Sequence, residues 1–494
     1  MELKIKNLNW SKGLPIAMLH YKTAKKIGVH SRDMITLKAL SKDAKEISTT
    51  IDVVKDIVRP SEIAISYELR KKLGLKVGKK VEVNMLSPPI SVDYINKKRS
   101  GKRLTEKEVD AIISDVVSNS LSESEIALFI SSIDKNGMNM KETIYLIKAI
   151  LKTGERLDLK NKFIVDKHSI GGIPGNRTTP LVVSICAAAG GFVMPKNSSR
   201  AITSAAGTAD VIEAIADVEF SLEEVKKIIK ETDACLIWGG GLGIAPADQK
   251  IIRIEKSLKI DPEPMLIASI MSKKLAAGSN YILIDIPYGK GAKVDKKRAV
   301  KLKKKFNYLG KYFKKNIRCV LTDGSQPIGA GIGPVLELRD IIKILDPKEV
   351  GPEDLRKKAI FLAGEIFEMT KRSKKGQGKK LAEEILNSGK AFEKFKQIIK
   401  AQRGELRRLR ISKFKKDIFA GKACTVEEID NKKINSLART AGCPVDKSSG
   451  IYLHIHQGDK IKKGQKIITI YTQSSSRLES AIDYYKKTKP ILLK

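Results

Sequence analysis

The run Asp166-Lys-His-Ser-Ile-Gly-Gly-Ile-Pro-Gly-Asn-Arg-Thr-Thr179 packs a carboxylate, cations, hydroxyls and glycines between a short apolar strand, Phe163-Ile-Val-Asp166, and a helix. Amides freed by Gly171 and Gly172, the helix terminus beyond them, Lys167 and the Ser169 hydroxyl together make a site for an anion. The spacing of a Walker loop is absent, so the segment specifies a phosphate or carboxylate binder. A glycine-rich connector with a surface lysine would read the same way. A second run, Ser198-Ser-Arg-Ala-Ile-Thr-Ser-Ala-Ala-Gly-Thr-Ala-Asp210, gathers hydroxyls around Arg200 with few bulky residues. Small residues let a ligand reach the backbone, and an arginine fork suits phosphate; the same run could be a polar loop ending in the cap of a helix near Ala209. In the third, Asp261-Pro-Glu-Pro-Met-Leu-Ile-Ala-Ser-Ile-Met-Ser-Lys-Lys274, a helix from Pro264 onward puts Ser269 and Lys273 on one face, with Asp261 near its start. That carboxylate is either a partner of the helix dipole or a general acid, which would need a partly desolvated site.

The elements that must position these residues follow from periodicity. The first 88 residues hold a repeat: Ala24 to Leu37 aligns without gaps on Arg70 to Val83, each copy a short helix ended by Gly28 or Gly74, a turn and an alternating strand. Two such copies resemble the halves of a double-psi barrel. From about 93 to 157 the period is helical, with Thr105-x-x-Glu108, Ser122-x-x-Glu125 and Asn139-x-x-Glu142 as capping boxes or their Asn variant. Strands and helices then alternate to about 345, with Leu181–Ala189 and Ser221–Glu231 as helices and Tyr281–Ile286 and Ile317–Thr322 as buried strands. Helical character across 246–277 interrupts that alternation and could rejoin the earlier bundle, leaving a cleft between two lobes. The tail Gly450 to Tyr471 has short strands between glycine turns and looks like a barrel-sandwich hammerhead; no modifiable lysine stands at a hairpin tip, so no prosthetic group is predicted.

The expected fold is therefore multidomain α/β. It comprises a double-psi-like β-barrel (1–88), a discontinuous small helical domain (89–160 and 246–277), a large α/β domain with a central sheet (161–245 and 278–415) and an α+β hammerhead-like domain (416–494). The chain of 494 residues is long enough for several cores. No apolar run reaches the roughly 18 residues of a spanning helix, and the amino terminus lacks a signal-peptide apolar block, so the cytoplasm is the expected compartment. The five cysteines are odd in number and never spaced as CxxC, which argues reduced thiols rather than a disulfide framework or a zinc site. His454 and His456 alternate in a strand-like run without metal-ligand spacing. A net charge of +38 fits either a nucleic-acid binder or a field that gathers small anions. Lysines and arginines are spread along the chain, most densely across 290–320 and 370–416, and aromatics are only 5%, which favours the second.

The three segments together resemble the thymidine phosphorylase superfamily, over essentially the whole span from about 90 to 485. Asp166-Lys-His-Ser-Ile-Gly-Gly172 matches its signature, Ser269-Ile-Met-Ser-Lys-Lys274 and Thr322-Asp-Gly-Ser-Gln-Pro-Ile-Gly329 match in order, and the hammerhead tail follows. Gly175-Asn-Arg-Thr-Thr179 and Ser198-Ser-Arg-Ala-Ile-Thr-Ser-Ala-Ala-Gly-Thr208 depart from thymidine phosphorylases and, with the amino-terminal domain, look like the archaeal AMP phosphorylase branch. That branch acts on nucleoside 5′-monophosphates, giving free base and ribose 1,5-bisphosphate. The resemblance implies nucleotide contacts at Gly172, Ser199, Arg200, Ala201, Ile202, Thr203, Ser204, Thr208, Ser269 and Lys293, and phosphate contacts at Lys167, Ser169, Ser198 and Thr208. It makes Asp261 the proton donor. It implies no cofactor and no metal, inorganic phosphate as co-substrate, and a homo-oligomer that is at least a dimer.

Displacement at the ribose anomeric carbon passes through an oxocarbenium-like state, so it needs a positioned anionic nucleophile and a way to neutralise the departing base. Lys167 and the glycine amides would hold phosphate, and Arg200 and Lys293 are the candidates for the 5′-phosphate. The rivals are a nucleoside phosphorylase for thymidine or uridine, with no need of a 5′-phosphate, and an RNA-binding protein on a phosphorylase scaffold. Intact Lys167, Ser169 and Asp261 speak against the latter.

Overall fold

The computed structural model describes residues 1–7, 16–40, 46–201, 204–406 and 409–494. The chain begins with strands β1 (Glu2–Asn7) and β2 (Ile16–His20), helix α1 (Tyr21–Ile27), β3 (Met34–Ala39), β4 (Glu46–Val54), β5 (Glu62–Ile65), α2 (Tyr67–Leu73) and β6 (Lys80–Met85). Alternate residues such as Leu3, Ile5, Val81 and Val83 turn inward, and the strands close into a barrel in the order β1-β5-β2-β4-β3-β6. Both helices end on a left-handed glycine, Gly28 at φ 76° and Gly74 at φ 68°, and the strands that follow, β3 and β6, pair with each other.

Four helices come next: α3 (Ser91–Arg99), α4 (Glu106–Ser118), α5 (Glu123–Asn136) and α6 (Met140–Lys152). Thr105, Ser122 and Asn139 each form a reciprocal capping box with the glutamate three residues on. Glu142 has a second task. Buried between helices, its Oε1 accepts from Lys98 Nζ at 2.9 Å and from the Leu104 amide at 3.0 Å, so one carboxylate caps α6 and ties it to α3.

The rest of the chain alternates. It runs β7 (Val165–Ser169), α7 (Thr178–Ala188), β8 (Met194–Ser198), α8 (Thr208–Ile212), α9 (Leu222–Thr232), β9 (Ala234–Trp238), α10 (Pro246–Leu258), α11 (Glu263–Ala276), β10 (Tyr281–Tyr288), α12 (Lys296–Tyr312) and β11 (Asn316–Asp323). After the short β12 (Gly331–Ile332) come α13 (Pro334–Leu345), α14 (Glu353–Met369), α15 (Gly378–Asn387) and α16 (Lys390–Ala401). The carboxyl-terminal part holds β13 (Phe414–Phe419), β14 (Cys424–Ile429), α17 (Asn431–Ala441), β15 (Gly450–Leu453), β16 (Lys460–Ile461), β17 (Lys466–Thr472), α18 (Ser475–Thr488) and β18 (Ile491–Leu493).

The chain divides into two compact units. The first is Met1–Thr153 with Pro246–Ala268, and the second is Gly154–Ala245 with Ser269–Lys494, so the division falls inside α11. In the second unit β11, β10 and β7 run parallel, a bridge between Ile164 and Val193 leads on to β8, and β8 pairs in parallel with β9. Helix α7 is buried all round from Leu181 to Cys186, and the one hydroxyl in that stretch, of Ser184, bonds back to Pro180 O; the helix sits in the core with α13, α14 and α16. Antiparallel β12-β15-β17-β13 and β16-β14-β18 enclose a separate apolar core with α17 and α18.

Two expectations shift. The strand expected to end at Asp166 continues to Ser169, because the charges of Asp166 and Lys167 find partners inside the protein. The helix expected from Leu181 starts at Thr178, with Pro180 tolerated in its first turn, where its missing N–H is not needed. All five cysteines are free thiols, Cys424 half-buried and the others buried. Among the described residues no helix is long and apolar enough to cross a membrane.

Glu142→Ala strips a buried ammonium of its partner and should destabilise the bundle by about 3–5 kcal/mol. The check is a lower denaturant midpoint with an unchanged slope.

Candidate active site

Parallel strands buried on both faces leave their carboxyl ends as the place where polar side chains and loops can meet a ligand. Some of the residues singled out by the sequence stand there: β7 ends at Ser169 and leads into Gly171 and Gly172, β8 ends at Ser198, and β10 ends at Tyr288 ahead of Lys293. The turn after β7 meets the turn after β10 directly. A Cβ on Gly172 would lie 3.2 Å from Lys293 Cβ, and Lys293 Nζ donates to Ile170 O at 3.4 Å.

Side chains of β7 alternate between two environments, each with its own charge balance. Asp166 is buried between two buried lysines, Lys196 of β8 at 3.1 Å and Lys274 of α11 at 2.7 Å. Lys167, with no exposed surface, donates from Nζ to Thr178 Oγ1 at 2.6 Å and to Thr179 Oγ1 at 3.4 Å, in the first turn of α7. Burial pulls its ammonium down to about 7, against the pull of Asp285, with Lys358, Lys196 and Arg177 adding to the depression. Asp285, in the middle of β10, accepts from Thr322 at 2.6 Å and pairs with Lys358 at 3.3 Å. Burial pushes its carboxyl up, but the ammoniums of Lys358 and Lys167 and the Thr322 hydroxyl outweigh that, and it titrates below the ordinary aspartate range.

The N-terminus of α7 carries no side-chain cap and no acidic residue in its first turn. Lys167 and the Ser169 hydroxyl, which meets Asn176 Nδ2 and the Gly171 amide at 3.4 Å each, lie beside that uncapped helix start, a set of groups whose chemistry suits an anion. Arg177, at the helix cap, is committed elsewhere. Its Nε bonds buried Glu337 at 2.6 Å, and its two terminal nitrogens reach Thr208 Oγ1 at 3.3 Å and Ala206 O at 2.7 Å. The start of α7 and the segment around Ala206 and Thr208 are thus joined through one guanidinium.

That segment is held from inside. Asp210 Oδ2 accepts from both the Ala201 and Gly207 amides at 2.7 Å, closing the loop on itself. The strands of the loop approach so closely that a Cβ on Gly207 would lie 2.6 Å from Ser199 O, which leaves room for glycine alone. Arg200 offers no free fork: Glu213 binds it from both terminal nitrogens, Glu219 adds a bond at 2.9 Å, and the guanidinium lies 4.8 Å over the Trp238 ring. Arg200, with Lys447 second, drops the Glu213 carboxyl to about 2. Ser199 is exposed, Ser198 Oγ donates to Ile237 O at 3.2 Å, and Ser204 Oγ to Ala206 O at 2.8 Å; Ile202 and Thr203 lie outside the described residues.

On α11, Lys273 Nζ donates to Ser269 Oγ at 3.0 Å, so the two share a face as their spacing implies. Asp261, in the first unit, is exposed just ahead of that helix. Sequence reasoning missed the buried partners Lys196, Lys274, Asp285 and Lys358 and the linking role of Arg177. One signal was present for Asp285, a carboxylate inside an otherwise apolar strand run. A surface depression of about 590 Å³ between Pro347 and α16 lies away from all of these residues, and its shape does not bear on the chemistry.

Residues 161–392 match the model of the glycosyl transferase family a/b domain, 92–154 that family's helical bundle domain, and 425–492 the pyrimidine nucleoside phosphorylase C-terminal domain. Proteins named AMP phosphorylase are similar over nearly the whole length. That of Pyrococcus horikoshii is 45% identical and that of Thermococcus kodakarensis 42%, each over 99% of this chain and 97% of its own. That of Methanococcus aeolicus is 40% identical over the same shares. The crystal structure of anthranilate phosphoribosyltransferase from Thermus thermophilus superimposes with a TM-score of 0.53 at 18% identity, covering 63% of this chain and 100% of that one, and shares the fold.

Asp166→Ala should leave Lys196 and Lys274 buried without a counter-charge and lower stability by about 3–5 kcal/mol. Adding Lys196→Met and Lys274→Met should recover most of that loss in the denaturant midpoint, because the uncompensated charges are then gone.

Proposed function

The chain belongs to the pyrimidine nucleoside phosphorylase family, among the relatives named AMP phosphorylase, and from that premise we propose that it is a pentosyltransferase cleaving AMP with inorganic phosphate. The products are adenine and ribose 1,5-bisphosphate; CMP and UMP are further candidate substrates. The observation that carries this reading is the buried Lys167 ammonium beside the uncapped start of α7 and the Ser169 hydroxyl, an anion corner at the carboxyl ends of parallel strands.

In the reaction a phosphate oxygen attacks the anomeric carbon as the C–N bond to the base breaks. Lys167, Ser169, Ser198 and Thr208 hold and orient the phosphate, so that displacement is close to unimolecular once both substrates are bound. Asp261, exposed in this structure, is assigned the proton given to the departing base, a role that requires the bound substrate to take its carboxyl out of water. Gly172, Ser199, Ala201, Ile202, Thr203, Ser204, Ser269 and Lys293 take the nucleotide. Arg200 joins them through its backbone, because its guanidinium is occupied by Glu213 and Glu219. Lys293, lying against Gly172, is then the cation for the 5′-phosphate. No cofactor or metal is required; the protein acts in the cytoplasm as a homo-oligomer, at least a dimer. The amino-terminal barrel is read as double-psi-like and the carboxyl-terminal domain as a hammerhead.

Release of free base from AMP, CMP and UMP should require phosphate, adenosine and thymidine should be inert, and Asp261→Asn should lower kcat by about 100-fold or more. Turnover of thymidine without a 5′-phosphate would instead establish a nucleoside phosphorylase. Lys167 adds a pH signature. Its folded value of about 7 lies below the ordinary lysine range, so the empty site loses its ammonium as pH rises through that value. The KM for phosphate should therefore rise between about pH 7 and about pH 9, and Lys167→Arg, always charged, should flatten that rise.

A further inference from the structure

Helix α17 lies more than a hundred residues along the chain from the turns that carry the proposed nucleotide contacts, yet two of its asparagines reach both. Asn435 Oδ1 accepts from the Ala205 amide at 3.0 Å, inside the 199–208 segment. One turn earlier, Asn431 Nδ2 donates to Gly324 O at 2.9 Å and packs on Gly291, where a Cβ would stand 3.5 Å from that nitrogen. Gly291 is two residues from Lys293, and the Gly324 amide bonds Tyr288 O at 2.9 Å, at the strand end from which that turn departs. A spacing of four puts both side chains on one helix face. Both are buried, and the Asn431 Oδ1 has no hydrogen-bond partner among the described residues, so this side chain is held by its single donor bond and by packing.

The interior gives each asparagine a definite sense. At 435 the loop needs an acceptor, and at 431 it needs a donor. A buried amide bond of this kind fixes where a backbone segment sits, and loop placement to within about 1 Å decides how well a bound substrate is oriented. Resting on the nucleotide reading above, we propose that α17 is the template of the nucleotide site: Asn435 and Asn431 are positioning residues that hold the 204–208 segment and the Gly289–Lys293 turn at the separation a nucleoside 5′-monophosphate requires.

The test uses the sense of each bond. Asn435→Ala removes the acceptor and Asn435→Asp keeps one; Asn431→Ala and Asn431→Asp both remove the donor. The KM for AMP should rise about fivefold or more in Asn435→Ala and in both Asn431 variants, as the loss of one net hydrogen bond implies, while Asn435→Asp stays within about twofold of the unaltered protein. The KM for phosphate and kcat should change less than the KM for AMP. In parallel, amide hydrogen exchange should quicken at 204–208 in Asn435→Ala and at 289–293 in Asn431→Ala. An unchanged KM for AMP in a folded Asn435→Ala, equal rises in both KM values, or a failure of Asn435→Asp to rescue each overturns the proposal, as does unaltered exchange. If the unaltered protein does not cleave AMP, the phosphorylase reading fails, and the exchange arm still decides whether α17 holds the two segments.

Discussion

The burial of one ammonium, that of Lys167, sets the terms for the rest of the second unit. A lysine inside a parallel sheet is tolerable only where hydroxyls and a carboxylate answer it, and here Thr178, Thr179 and Asp285 do so incompletely, leaving its titration near neutrality. Because its folded value lies below that of the unfolded chain, the unfolded state binds the extra proton between the two. Stability from this group therefore rises with pH above about 7, and the penalty of burying the charge is fully present below that value.

The neighbouring charges follow from the same constraint. Asp166 on the adjacent position of β7 must face away from Lys167, and it holds Lys196 and Lys274, drawing β8 and α11 onto the strand. Asp285 brings Lys358 of α14 and Thr322 of β11 to the other side. Each pair is a stability liability if halved, which is why β7 and β10 couple the electrostatics around Lys167 to the packing of β8, α11, α14 and β11. Outward from the sheet, the control passes from charge to backbone hydrogen bonds. Asp210, Arg177 and Asn435 each bond backbone between Ala201 and Gly207, so this stretch of small residues is held by donors and acceptors from α8, the cap of α7 and α17.

The local devices were legible in the chain because they depend on near neighbours. The three capping boxes, the paired helix–glycine–strand copies and the shared face of Ser269 and Lys273 are all matters of spacing, and the spacing is in the sequence. Arg200 shows the limit. Its type and setting among hydroxyls suit a phosphate, but Glu213 and Glu219 take its fork, and nothing within the motif announces carboxylates from elsewhere. The strand end at Asp166 was misplaced for the same reason: local pattern treats a charged tetrad as a turn, whereas lysines brought by β8 and α11 make it a strand.

By itself the sequence determined the order of elements, the families of residue types at the anion corner and the signature that marks the chain's kinship, since these rest on short-range periodicity and on side-chain chemistry. Only the tertiary structure decided which charges are spent on one another and which are left with hydroxyls for partners. Lys167 and Arg200 are equally cationic on paper; one is buried against hydroxyls and the other is clamped by carboxylates. The reason is physical: pairing and desolvation depend on distances between residues far apart in the chain, and those distances exist only once the sheet has assembled.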